Sequence, residues 1–61
     1  PVVKRISQLI LEDYFTTNKP MEIRWREVLM MTRAHCRGYF HVDIANQVAK
    51  ELKEEGIKTW R

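Results

Sequence analysis

The sequence has one cysteine, Cys36, and only two glycines and two prolines. A single thiol allows no intrachain disulfide, which excludes the small secreted scaffolds that bridges hold together. Gly38 and Gly56 stand alone, so there is no glycine-rich phosphate loop. No C-x-x-C pair accompanies Cys36, and no cofactor or metal is expected. The longest unbroken apolar run is four residues, Val28 to Met31, far below the roughly 18 of a membrane span. The start, Pro-Val-Val-Lys-Arg-Ile-Ser, has no long apolar stretch after its basic pair, unlike a signal peptide. The expected location is therefore intracellular, either cytoplasmic or in the nucleus or nucleoid, and reducing, with no membrane partner. Repeats, low-complexity tracts and linkers are also missing.

What is present fits one domain, residues 1–61. A chain of this size buries only about 60% of the surface its unfolded form exposes, so its stability is marginal. An apolar fraction of 44% with 31% charged residues belongs to a globular protein and not to a disordered one. Two Trp, two Tyr and two Phe are read as anchors for a small core. The net charge of +3 permits an anionic partner without requiring one. Its excess falls mostly in the middle segment, on Arg24, Arg26, Arg33 and Arg37.

Pro20, Gly38 and Gly56 divide the chain. From Val3 to Thr16, Val3, Ile6, Leu9, Ile10 and Tyr14 recur at helical spacing and define one apolar face. Asn18 and Pro20 stop that helix. Met21, Ile23 and Trp25 alternate with Glu22 and Arg24, a pattern open to two readings, the opening of the next helix or, as favoured here, a short extended piece running into it. A second helix follows from about Trp25 or Arg26 to Arg37, burying Trp25, Val28, Leu29, Thr32 and Cys36. Beside that stripe lie Arg26, Arg33 and Arg37, a row able to grip phosphates or an acidic protein surface, or simply to pair locally with Glu22 and Glu27. Asp43 is expected as N-cap or first-turn residue of a third helix, Asp43–Glu55, whose apolar face is Ile44, Ala45, Val48, Ala49 and Leu52. Gly56 ends it, with Ile57 packing back on Leu52. Glu54 and Glu55 stand at the end where the helix dipole disfavours carboxylates, answered by a partner, by a nearby arginine or by nothing. Ile57–Trp60 reads as a strand able to pair with Met21–Arg24.

The order helix, short strand, helix, turn, helix, glycine, strand, with Leu52-Lys53-Glu54-Glu55-Gly56-Ile57 closing the third helix, resembles the first two-thirds of a winged-helix domain. The resemblance is one of element order and covers most of the chain. A second wing strand and a wing loop would have to follow Arg61, so a full wing is not expected within these residues. The resemblance implies that the third helix is a recognition helix presenting Asn46, Gln47, Lys50 and Lys53 to a DNA major groove. Asn and Gln pair with adenine edges there, and Lys reaches guanine or phosphate. Arg33, Arg37, Lys58 and Arg61 would flank it as phosphate contacts. Against this stands the solvated face that every soluble helix carries, here diluted by Glu51, Glu54 and Glu55.

Other chemistry is weaker. His35, Cys36 and His41 suggest zinc, but adjacent His and Cys point to different helix faces, no fourth ligand stands nearby, and Cys36 falls on a buried stripe. His41 is read as a capping or surface residue. Small tautomerases use an N-terminal proline such as Pro1 as general base, but their chains begin with a strand, whereas Val2 to Tyr14 has helical periodicity. Ser7 lacks a positioned histidine, Glu12 and Asp13 are only sequence neighbours, and there is little room for a closed pocket. No enzyme activity and no small-molecule substrate are expected. The expectation is a mainly α domain with a three-helix, helix-turn-helix core and a short two-strand ribbon, binding double-stranded DNA. The alternative is a protein-binding adaptor or small regulator, or a homodimer, using Met30, Phe40 and Trp60.

Overall fold

The computed structural model describes residues 2–61; Pro1, and with it the general-base idea, lies outside them. The chain forms α1 (Val2–Tyr14), β1 (Glu22–Arg24), α2 (Trp25–His35), α3 (Val42–Glu54) and β2 (Lys58–Trp60). Three helices pack on one another, and both strands lie against them as a ribbon, the mainly α fold expected. Among the described residues no helix is long and apolar enough to cross a membrane.

α1 faces the core with Ile6, Ser7 and Ile10, flanked by Val3 and Leu11. The apolar face is thus rotated from the expected one. Tyr14 is half-exposed, and Ser7 takes a buried place because its hydroxyl donates to the Val3 carbonyl at 2.9 Å, which satisfies the polar group within the helix. The helix also ends two residues sooner than its periodicity suggested. Phe15 N–H still donates to the Leu11 carbonyl at 3.1 Å, and the Thr16 hydroxyl donates to the Glu12 carbonyl, closing the last turn.

α2 starts directly out of β1, with Arg24 as its extended N-cap residue and no side-chain cap. Val28, Met31 and Thr32 are buried, with Trp25, Leu29 and Cys36 packed partly beneath the surface. The helix stops at His35, short of Arg37. Arg37 therefore leaves the helical row with Arg26 and Arg33, and no single stripe holds the three. The connection of residues 36–41 turns at Gly38, where φ is +85°.

α3 opens on His41, whose Nδ1 accepts from the Asp43 N–H at 3.1 Å. The histidine takes the cap, and Asp43 sits in the first turn, where its carboxylate favours the helix N-terminus. Ala45, Val48 and Leu52 are buried, and Ile44 and Ala49 pack beside them, as their spacing predicts. The C-terminus is a Schellman turn: Gly56 N–H donates to the Lys53 carbonyl at 3.0 Å and Ile57 N–H to the Leu52 carbonyl at 3.0 Å. Gly56 takes φ +87°, the left-handed region closed to most side chains. Ile57 and Leu52 are both fully buried. Lys19, from the α1–β1 loop, lies 3.4 Å from the Glu55 carboxylate; the cation answering the acidic C-terminus is a lysine, in an exposed pair of small energetic weight.

β1 and β2 pair in parallel, Glu22 with Lys58, Ile23 with Thr59 and Arg24 with Trp60. Parallel neighbours need a crossover, and here α2 and α3 supply it. The core is Ile6, Ile10, Ile23, Val28, Met31, Ala45, Val48, Leu52 and Ile57. It is entirely without aromatics, contrary to the anchoring role expected of them. Phe15, Trp25 and Phe40 pack around its rim, while Tyr14, Tyr39 and Trp60 are exposed.

Two changes test this packing. A Cβ at Gly56 would meet nothing within 4 Å, so Gly56→Ala carries only the left-handed backbone cost and is expected to lower unfolding free energy in urea by about 1 kcal/mol. Gly56→Asn should lose less. Equal stability of the Ala variant would refute the left-handed turn. Thr32 is fully buried, and its hydroxyl has no hydrogen-bond partner among the described residues. Thr32→Val, nearly isosteric, is expected to stabilise by roughly 1 kcal/mol; a fall in the urea midpoint would mean that the hydroxyl is bonded.

Candidate nucleic-acid interface

The polar side chains of α3 border two grooves. Asn46, Lys50 and Lys53 recur at i, i+4 and i+7 and so project together. With Gln47, Ala49, Thr59 and Arg61 they border an open depression of about 350 Å³ between the helix and β2. The helix's three glutamates, Glu51, Glu54 and Glu55, border a different groove, against Lys4, Ser7, Gln8 and Leu11 of α1. None of the three glutamates lines the depression beside β2, although Glu54 follows Lys50 by four residues and Glu51 follows Gln47 by four, so acid stays next to this face on the helix surface.

Arg61 is brought to this face by the ribbon. Its guanidinium donates to Asn46 Oδ1 at 3.0 Å and stacks over the Trp25 ring, 4.1 Å from the centroid. Both contacts fix the planar group in one orientation, and the cation gains from the quadrupole of the indole face. They also engage the Asn46 carbonyl oxygen, leaving the amide N–H groups of that side chain to face outward as donors. The Thr59 hydroxyl, a neighbour on the β2 side, is buried without a hydrogen-bond partner among the described residues.

A second depression, about 270 Å³, adjoins the first and is bordered by Arg24, Trp25, Arg26, Trp60 and Arg61. The parallel register sets Arg24 opposite Trp60, and the Arg24 guanidinium lies over the Trp60 ring at 5.0 Å. Arg61 borders both depressions. Arg24, Arg26, Lys50, Lys53 and Arg61 thus ring two adjoining surfaces that no Asp or Glu side chain lines. Such an arrangement sums to a positive local potential larger than the chain's modest net charge suggests.

Of the side chains expected at the interface, Asn46, Gln47, Lys50, Lys53 and Arg61 come together. Arg33 borders a separate depression with Cys36, Gly38, Tyr39 and Phe40, and lies roughly 10 Å along α2 from Arg26 at the helical rise per residue. Arg37 is exposed in the loop after α2. Lys58 is on the ribbon opposite Glu22, one residue from Thr59 and hence on the other strand face. His35 stands with Nε2 3.4 Å from an Asp13 carboxylate oxygen, edge-on to Tyr14, away from His41 at the start of α3. From the sequence, Trp25 reads as buried and Trp60 as an anchor for a protein partner, and neither tryptophan nor Arg24 is placed at the nucleic-acid interface, because the grouping of all three arises from strand register. The one sequence signal for it is the alternation of Arg with Trp in both Arg24-Trp25-Arg26 and Trp60-Arg61.

Comparison with family models, curated proteins and solved structures finds no match to this chain.

The Arg61 stack has a spectroscopic consequence. In a Trp60→Phe background, which leaves Trp25 as the remaining indole, Arg61→Ala is expected to uncover the Trp25 ring and shift its fluorescence emission to longer wavelength. Arg61→Lys should not restore the parent spectrum, because an ammonium has no plane to stack. An unchanged spectrum in Arg61→Ala would show that the guanidinium does not cover the ring.

Proposed function

We propose that the domain binds nucleic acid, duplex DNA, with α3 entering the major groove as the element that reads it. The observation that carries this proposal is the convergence of Asn46, Gln47, Lys50, Lys53 and Arg61 on one depression lined by no Asp or Glu side chain, while the glutamates of the same helix border another groove. An α-helix fits the width of the B-DNA major groove, and amide and ammonium groups at i, i+4 and i+7 reach along it. Lys50 and Lys53 neutralise phosphates or reach guanine, Arg61 is a guanidinium held ready for phosphate or base edge, and Asn46 and Gln47 contribute amide donors.

The order α1, β1, α2, α3, β2 is that of the first part of a winged-helix domain, and it supports the same assignment of α3. The proposal is confined to that helix and its flank. β2 pairs with β1 in parallel and is no wing hairpin, and the connection over residues 36–41 is longer than the 3–4 residues of a usual helix-turn-helix. A role in transcription regulation would follow from sequence-specific binding of this kind.

The test is fluorescence anisotropy of a labelled duplex titrated across a salt series. Affinity should fall steeply with salt, and the Lys50→Ala, Lys53→Ala double variant should weaken binding and reduce the log–log salt slope by about 2, one for each lost phosphate contact. Binding indifferent to both lysines would remove α3 from the interface. No binding at low salt would end the nucleic-acid proposal and turn attention to a protein partner for the exposed Met30 and Tyr39.

A further inference from the structure

The depression next to the α3 face has a composition of its own. Its polar rim is Arg24, Arg26 and Arg61, its walls are Trp25 and Trp60, and no Asp or Glu side chain borders it. Trp60 is 46% exposed although the core consists of aliphatic side chains, so a large apolar surface is left at the rim instead of contributing to burial. Each indole is layered with a guanidinium, Arg24 over Trp60 at 5.0 Å and Arg61 over Trp25 at 4.1 Å. Flat cations alternating with flat aromatic faces offer a phosphodiester its counter-charge and a base a surface to stack on. A paired base inside a duplex has both faces occupied by its neighbours, so this second feature serves only nucleotides that are unpaired.

We infer that this groove holds unpaired nucleotides running on from a duplex seated at α3, so that the chain's ligand is a duplex carrying a single-stranded extension. Arg61 borders both depressions and is the point at which the strand passes from one to the other. For the neighbouring site the inference rests on the duplex proposal above; for the groove it rests on the cation and indole array alone. Trp60 supplies the stacking face, Arg24 and Arg26 the phosphate contacts, and Trp25, packed against the core, a fixed wall.

The experiment compares three labelled DNA probes by anisotropy at one low salt concentration: a blunt duplex, the same duplex with a short thymidine extension on either strand end, and the extension strand alone. The extended duplex is expected to bind about tenfold more tightly than the blunt one for each stacked base. Trp60→Leu should abolish that advantage and leave blunt-duplex affinity unchanged, while Trp60→Phe should keep most of it. Arg24→Gln, which leaves the indole in place, should reduce it and serves if the Leu variant proves unfolded by circular dichroism. Equal affinity for blunt and extended duplexes overturns the inference and leaves the duplex proposal standing. So does an advantage that survives both Trp60→Leu and Arg24→Gln in folded protein. Binding of the extension strand alone in a Trp60-dependent manner, with no affinity for the blunt duplex, upholds the groove and overturns the duplex proposal. Binding of no probe overturns both.

Discussion

The left-handed turn at Gly56 is the constraint on which the rest of the molecule depends. It ends α3, reverses the chain and delivers Ile57 into the core directly behind Leu52. Once Ile57 is buried, the following residues have one course, alongside β1, with Lys58 N–H donating to the Met21 carbonyl at 2.9 Å. That course fixes the register, the register sets Trp60 opposite Arg24, and the next residue, Arg61, falls between Trp25 and Asn46. A backbone conformation at one glycine thus determines which side chains meet on the surface.

Much of the fold was legible in the sequence because helices and their ends are local. The spacing of Ile44, Ala45, Val48, Ala49 and Leu52 gave α3 its buried face, and Gly56 with Ile57 gave its terminus. Where the reading failed, a neighbour in space decided the outcome. Tyr14 matches the period of α1 as well as Leu11 does, but a hydroxyl that hydrogen-bonds its own helix let Ser7 rotate the buried face. Of the two places expected for Asp43 it takes the first turn, and His41, expected at a cap or on the surface, takes the cap with its ring nitrogen. The candidate site divides along the same line. The Asn46, Lys50, Lys53 row is a property of helical period and was visible. The Arg24–Trp60 and Arg61–Trp25 stacks depend on a pairing between distant parts of the chain, and the local alternation of Arg with Trp does not say which ring meets which guanidinium.

The distribution of side-chain types over the surface is as informative as any one contact. Aliphatic residues fill the interior, and the aromatic rings are displaced to the rim. The net charge is +3, and the charged side chains of α3 border two grooves, the glutamates the one against α1 and the lysines the one against the ribbon. One helix therefore contributes one side to holding the domain together and another to facing outward, and its mean charge describes neither.

The parallel ribbon couples this surface to folding in time. Glu22 and Lys58 meet only after α2 and α3 between them have been laid against the core, since closing so long a segment of chain gains nothing until the intervening helices pack. A partly folded chain would present the α3 row without Arg61 beside it and the indoles without their guanidiniums. The complete surface is a property of the fully assembled domain, and any ligand that engages both parts of it stabilises the native state against the unfolded chain.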